Sequence, residues 1–331
     1  MLFGDGKLAA TKPEAARLGM KRPLVITGRQ QSGLGRDIAA NLGTIHFDGA
    51  RMHTPVDVTE QAMKLVVGQG IDGTIAIGGG SAIGLGKAVA FRTGLPQIAV
   101  PTTFAGSEMT DILGETSAGG KTTRRGASIQ PETVIYDPQL LASLPQGLAA
   151  TSGMNSMAHA VEALYAVDGN PIVSLLAEEG IRALATALPR GEPARAEALY
   201  GAWLCGTVLG SVAMALHHKL CHLLGGTFDL PHSETHAVIL PHATAYNAPA
   251  ANGAMVRIAK ALDAGTAAQG LFDLAKSLGT PLSLQELGMS EEGLDKVADM
   301  AVAHPYPNPR PLDRIAIRQL LDNAFHGRRP S

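Results

Sequence analysis

Gly73-Thr74-Ile75-Ala76-Ile77-Gly78-Gly79-Gly80-Ser81 decides the fold. The small and β-branched residues at 73–77 read as a short buried strand, and they run straight into a glycine triplet and then into helical sequence. A strand, a tight turn and a helix open a βαβ unit. Apolar runs of the same kind recur at 23–27, 44–48, 97–101 and 133–137, with amphipathic stretches at 34–42 and 58–68 between them. Strands alternating with helices imply a parallel sheet with helices over its faces. Near Leu144-Pro145-Gln146-Gly147 the texture changes, and helical periodicity follows at 154–166, 172–188, 195–218, 255–262, 265–278, 290–303 and 312–325. The expected architecture is an α/β dinucleotide-binding domain over 1–146 and an all-α domain over 147–331, the second carrying substrate and catalysis.

The composition agrees with an α/β enzyme. The 331 residues are 45% apolar, with 39 Gly and 20 Pro. A formal charge of −2 with scattered Lys and Arg gives no electrostatic footprint for nucleic acid or an anionic membrane. No apolar run reaches the ~18 residues of a membrane span. Two cysteines, Cys205 and Cys221, make no disulfide framework, which points to a cytoplasmic, reducing setting.

Gly78, Gly79, Gly80 and Ser81 sit where backbone amides at a helix N-terminus attract an anion, and glycine lets a phosphate approach closely. This is not G-x-G-x-x-G, and a ligand-free turn is the competing reading. Thr102 and Thr103 add hydroxyls at the end of the 97–101 strand, the edge where open α/β sheets bind ligands. Asp48 ends the 44–48 strand, where a carboxylate accepts from ribose hydroxyls and repels a 2′-phosphate. Together they favour NADH, with NADPH still open.

In the second half five of the 11 histidines fall within 20 residues, at 217, 218, 222, 232 and 236, two pairs of them at i, i+4 spacing. Asn155 and His159 share that spacing upstream. On a helix i and i+4 lie on one face. A single histidine is usually a core or surface residue, but three segments with matched spacings suggest a metal cage or a proton-handling pocket. His159, His218 and His232 are three candidate nitrogen ligands. Asn155 brings no charge where a divalent metal wants a carboxylate. Cys221, between Lys219 and His222, reads as a small buried hydrophobe beside the pocket.

The Gly78-Gly79-Gly80-Ser81 loop, Pro101-Thr102-Thr103-Phe104-Ala105-Gly106-Ser107-Glu108, Asn155-x3-His159-Ala160-x-Glu162-Ala163 and Leu230-Pro231-His232 resemble the iron-containing alcohol dehydrogenase superfamily over essentially the whole chain. The resemblance implies the dehydroquinate synthase-like fold, with an active site in a cleft between the two domains. Within the superfamily Thr102–Thr110, Asn155, His217-His218-Lys219-Leu220-Cys221-His222 and Asn308-Pro309-Arg310-Pro311 are most similar to the branch that reduces maleylacetate. Asn155, His159, His218 and His232 match the Asp, His, His, His that hold metal in other relatives. With the Asp replaced, no metal is expected. His222 matches the histidine beside the nicotinamide, and Gly84 stands where many relatives carry Asp.

The expected reaction is NADH-dependent reduction of the carbon–carbon double bond of a small dicarboxylate, maleylacetate, to 3-oxoadipate. His159, His218, His222 and His232 would stabilise the enolate, with Lys219 adding positive field and His222 giving the proton. Asn155 and Arg310 are the expected substrate contacts, and Arg124 and Arg125 are further candidate carboxylate clamps against the plainer reading of surface arginines. The resemblance also implies a homodimer. The competing reading is a metal-dependent alcohol or polyol dehydrogenase.

Overall fold

Alternation along the strands builds the sheet's two faces. In the strand Pro23–Thr27, Val25 points to one side and Leu24 and Ile26 to the other, each fully buried. The computed structural model describes residues 1–117 and 120–331. The chain divides into two units, Met1–Leu144 and Pro145–Ser331.

In the first unit the strands are β1 (Leu2–Phe3), β2 (Pro23–Thr27), β3 (His46–Phe47), β4 (Gly73–Gly78), β5 (Gln97–Pro101), β6 (Ile112–Ser117), β7 (Gly120–Arg125) and β8 (Thr133–Tyr136). Six of them form a sheet in the order β1-β8-β5-β4-β2-β3, every pair parallel. The helices are α1 (Thr11–Arg17), α2 (Ser32–Leu42), α3 (Val56–Gln69) and α4 (Gly80–Thr93). Val25, Ile75, Ile77, Ile98 and Val100 pack with Ala15, Met20 and Ala39 on the α1 and α2 side. Leu24 and Ile26 pack with Val58, Ala62, Val66, Ala82, Leu85 and Val89 of α3 and α4.

Four elements of this unit, β1, α1, β6 and β7, have no counterpart in the sequence pattern, and one expected strand is shortened. The strand expected at 44–48 is only His46–Phe47. β6 and β7 form a separate antiparallel hairpin; β6 reads Ile-Leu-Gly-Glu-Thr-Ser and β7 Gly-Lys-Thr-Thr-Arg-Arg, so neither carries an apolar run that announces a strand. The hairpin is tied in by Arg92, 2.8 Å from the buried Glu115, and by Lys87, whose ammonium donates to the carbonyls of Ser107, Thr110 and Ile112.

The second unit is helical: α5 (Gln146–Ala163), α6 (Pro171–Ala187), α7 (Arg195–Ser211), α8 (Leu216–Phe228), α9 (His232–Asn247), α10 (Asn252–Ala261), α11 (Ala267–Ser277), α12 (Gly293–Ala303) and α13 (Arg314–Phe325). The single helix expected over 195–218 is broken into α7 and the start of α8, with Val212 extended. Two carboxylates hold the break. Asp168 accepts from the Ala213 N–H at 3.0 Å, and Glu162 accepts from Ala215 and His217, each at 2.8 Å. Asn308 Oδ1 takes the Leu216 N–H at 3.3 Å. The first amides of α8 are thus capped from outside the helix, and the Glu162 charge faces its positive dipole end. Leu216, Leu220, Leu224, Val238, Ile239, Leu294, Val297, Ile317 and Leu321 form the core beneath α8 and α9.

Candidate active site

Helix α5 places Asn155, His159 and Glu162 at i, i+4 and i+7, one face of a helix, and all three are buried. Helix α8 adds His217, His218, Lys219, Cys221 and His222, and α9 opens with His232 and His236. The rings form a continuous cluster. His218 lies 5.2 Å from His159, 5.1 Å from His217, 5.1 Å from His236 and 6.3 Å from His222 between centroids. His236 lies 4.8 Å from His217 and 4.4 Å from His232.

Glu162, three residues beyond His159, is a further buried member of this group that the histidine spacing does not announce. It is fully buried, and besides capping α8 it holds His218 Nδ1 at 2.7 Å. That bond fixes the ring and leaves His218 Nε2 on the opposite side, buried and without a hydrogen-bond partner. Asn155 Oδ1 and His159 Nδ1 are also buried and unpartnered. Buried polar atoms are normally satisfied, so these three are open to hydrogen bonds from a bound molecule. The signal that could have found Glu162 was its position three residues after His159 on one helix face.

The electrostatics favour neutral rings. Burial holds the pKa of His159, His217 and His236 well below the usual imidazole value, and neighbouring imidazoles push in the same direction. Burial, followed by the Glu162 charge, raises the Cys221 thiol well above its ordinary value. Cys205 and Cys221 are both free and buried.

Among the described residues two groups of three His, Cys, Asp or Glu side chains bring ligand atoms within 4.8 Å of one another: His217, Cys221, His236, and Glu291, Asp322, His326. Neither is the set Asn155, His159, His218, His232. That set offers three imidazoles and a neutral amide, without the negative charge that a carboxylate would bring to a divalent metal.

The other expected contacts are placed as follows. His222 is exposed on α8 and His232 half-buried on α9. Lys219 reaches over the Tyr306 ring at 5.7 Å. Arg310 donates to the Tyr246 carbonyl at 3.1 Å and stacks on that ring at 4.3 Å, so part of its guanidinium is engaged by the protein. Arg124 lies over Phe91 at 5.4 Å and Arg125 pairs with Asp111 at 3.2 Å, which gives both the role of hairpin surface arginines.

In the first unit Gly78 has φ 150° and Gly79 caps α4 in an extended conformation with no side-chain cap. A Cβ on Gly79 would meet Thr103 Cγ2 at 2.9 Å, so the β4 and β5 ends approach closely here. A Cβ on Gly80 would meet nothing within 4 Å, and Ser81 follows it in the first turn of α4. The Thr102 N–H donates to the Gly78 carbonyl at 3.0 Å, and its hydroxyl accepts from Gln31 at 3.3 Å. Asp48 is exposed, and Ser32 donates to it at 2.8 Å, lowering its pKa. A Cβ on Gly84 would sit 2.4 Å from Thr54 Oγ1, so the aspartate found in many relatives could enter only with Thr54 displaced.

Two family models match the chain: iron-containing alcohol dehydrogenase over residues 1–138, and the C-terminal domain of the Fe-containing alcohol dehydrogenase family over 149–325. The chain is 52% identical to a maleylacetate reductase of Burkholderia cepacia, covering 100% of this chain and 97% of that protein. It is 53% identical to a maleylacetate reductase of Rhizobium sp. strain MTP-10005, covering 100% and 96%. The crystal structure of the maleylacetate reductase from that Rhizobium strain superposes with a TM-score of 0.95 at 51% identity, covering 99% of this chain and 96% of that one.

Proposed function

Because this chain belongs to the iron-containing alcohol dehydrogenase family, we propose that it reduces the carbon–carbon double bond of maleylacetate with NADH, giving 3-oxoadipate. The observation that carries this reading is the trio of unpartnered buried atoms, Asn155 Oδ1, His159 Nδ1 and His218 Nε2, around a position where the usual aspartate is missing. A pocket of neutral donors and acceptors suits a dianionic substrate better than one holding a further carboxylate.

Hydride from the nicotinamide adds to the alkene carbon β to the ketone and leaves NAD⁺. The electron pair of the double bond moves onto the ketone oxygen as an enolate, and a proton at the α carbon completes the product. Donors set in advance stabilise that oxygen without reorganising. His159 and His232 are assigned to this role, with Lys219 adding field. His218 has its Nδ1–H committed to Glu162, so its Nε2 accepts when the ring is neutral and donates when the ring carries a second proton. His222 is exposed, in exchange with water, and is assigned as the proton donor. Asn155 and the free N–H groups of Arg310 are assigned to the substrate. The reaction is proposed to run without metal, since Asn155 stands where a carboxylate would balance a divalent ion's charge.

Gly78, Gly79, Gly80 and Ser81 are assigned to the cofactor phosphates, Asp48 to the adenosine ribose and Thr102 and Thr103 to the strand-end contacts. The working form is taken as a homodimer, as the family resemblance implies, in a cytoplasm where Cys205 and Cys221 stay reduced. The test is to mix chelator-treated enzyme with maleylacetate and NADH and follow loss of the reduced nicotinamide absorbance. Turnover without added metal is expected. Turnover only after zinc or iron(II) is returned would overturn the metal-free reading and favour a metal-dependent dehydrogenase.

A further inference from the structure

His217 and Cys221 stand at i, i+4 on α8, and His236 faces them from α9. All three are buried, and their ligand atoms lie within 4.8 Å of one another. His217 Nε2 is 2.9 Å from His236 Nδ1 and 3.7 Å from Cys221 Sγ. A tetrahedral zinc ion has Zn–N of about 2.0–2.1 Å and Zn–S of about 2.3 Å, which sets N···S edges near ~3.6 Å and N···N edges near ~3.4 Å. The His217–Cys221 edge already fits, the Cys221 sulfur and a His236 nitrogen lie within 4.8 Å, and the two imidazoles need to part by about half an ångström from their hydrogen bond.

We propose that His217, Cys221 and His236 form a binding site for a borderline-soft divalent cation of the zinc class, separate from the Asn155, His159, His218, His232 set. One thiolate and two imidazoles are the donors such ions select. On binding, the thiol gives its proton to solvent as the metal–sulfur bond forms. The proton between the two imidazoles moves to an outer nitrogen, His217 Nδ1 or His236 Nε2, neither of which has a partner, so both rings stay neutral. The ion's two positive charges are then balanced by the thiolate and by Glu162, which accepts from the His217 backbone. No uncompensated charge is left in the interior. Because His217 adjoins His218 and His236 adjoins His232, occupancy pulls on both rings and is expected to inhibit turnover.

The probe is cobalt(II), titrated into metal-free full-length protein. One equivalent per chain is expected to give a thiolate-to-cobalt charge-transfer band, zinc to abolish it by displacement, and Cys221→Ser to remove it. Glu291, Asp322 and His326 hold no sulfur and cannot give this band. X-ray absorption of the zinc-loaded wild type needs no variant and should read one sulfur at about 2.3 Å with nitrogen neighbours. Absence of the band at one equivalent, a band that survives in Cys221→Ser, or a zinc shell without sulfur would each overturn the site. None of these readouts depends on the substrate assignment.

Discussion

Replacing Glu162 is the sharpest test of how this site is held. Its carboxylate takes three hydrogen bonds with no exposure to water: Oε2 from the Ala215 N–H and His218 Nδ1, and Oε1 from the His217 N–H. Glu162→Ala strands all three donors. Removing one partner from a buried charged network costs about 3–5 kcal/mol. For a unit of this size that lowers Tm by roughly 6–20 °C. Glu162→Gln is predicted to be milder and for a definite reason. An amide oxygen in the Oε2 place keeps the Ala215 and His218 bonds, while the amide nitrogen confronts the His217 N–H. One lost bond costs about 1–3 kcal/mol. Because His218 keeps its tautomer, kcat should fall less than in the alanine variant, where losing the ring's orienting partner costs about 10–100-fold. The assay is thermal denaturation by circular dichroism beside steady-state NADH oxidation. An alanine variant within about 2 °C and twofold of wild type, or a glutamine variant worse than alanine, would refute the reasoning.

Further predictions address the rest of the molecule. Gly80→Ala meets no neighbour, so it should leave the fold intact or stabilise it by about 0.4–1 kcal/mol, yet raise the KM for NADH about tenfold if phosphates lie on that turn; an unchanged KM removes the loop from the cofactor site. His222→Ala should lower kcat by about a hundredfold or more while the KM for NADH moves little, and a retained kcat would strike His222 from the mechanism. Burial pushes the His242 pKa from 6.5 down to about 4. Between those pH values the unfolded chain binds a proton that the folded chain does not, so stability is full above about 6.5 and is lost as pH falls toward 4, by up to about 3 kcal/mol from this ring. Denaturant titrations at pH 7 and 4.5 should show a shallower loss for His242→Asn, and equal losses would remove His242 as a contributor.

The sheet was legible because β2, β4, β5 and β8 are buried on both faces, which writes an apolar run into the sequence itself. The histidine spacing was legible for a similar reason, since i, i+4 is a property of one helix. β6 and β7 left no such trace, because β6 is interrupted by Gly114 and turns polar, β7 is made of Gly, Lys, Thr and Arg, and the hairpin is tied in by Arg92 and Lys87. The break between α7 and α8 was equally hidden. Residues 195–218 read as one helix locally, and only carboxylates from Asp168 and Glu162 make the interruption favourable.

The site divides along the same line. Residue types and their order already pointed to Asn155, His159, His218, His222 and His232 and to the glycine turn. The sequence could not say that Arg310 is engaged by Tyr246, that Glu162 sets the direction of His218, or that His236 comes within hydrogen-bonding distance of His217. Periodicity fixes which face of its own helix a side chain occupies. Which partner that face meets depends on helix packing across dozens of residues, and only the tertiary structure carries that information.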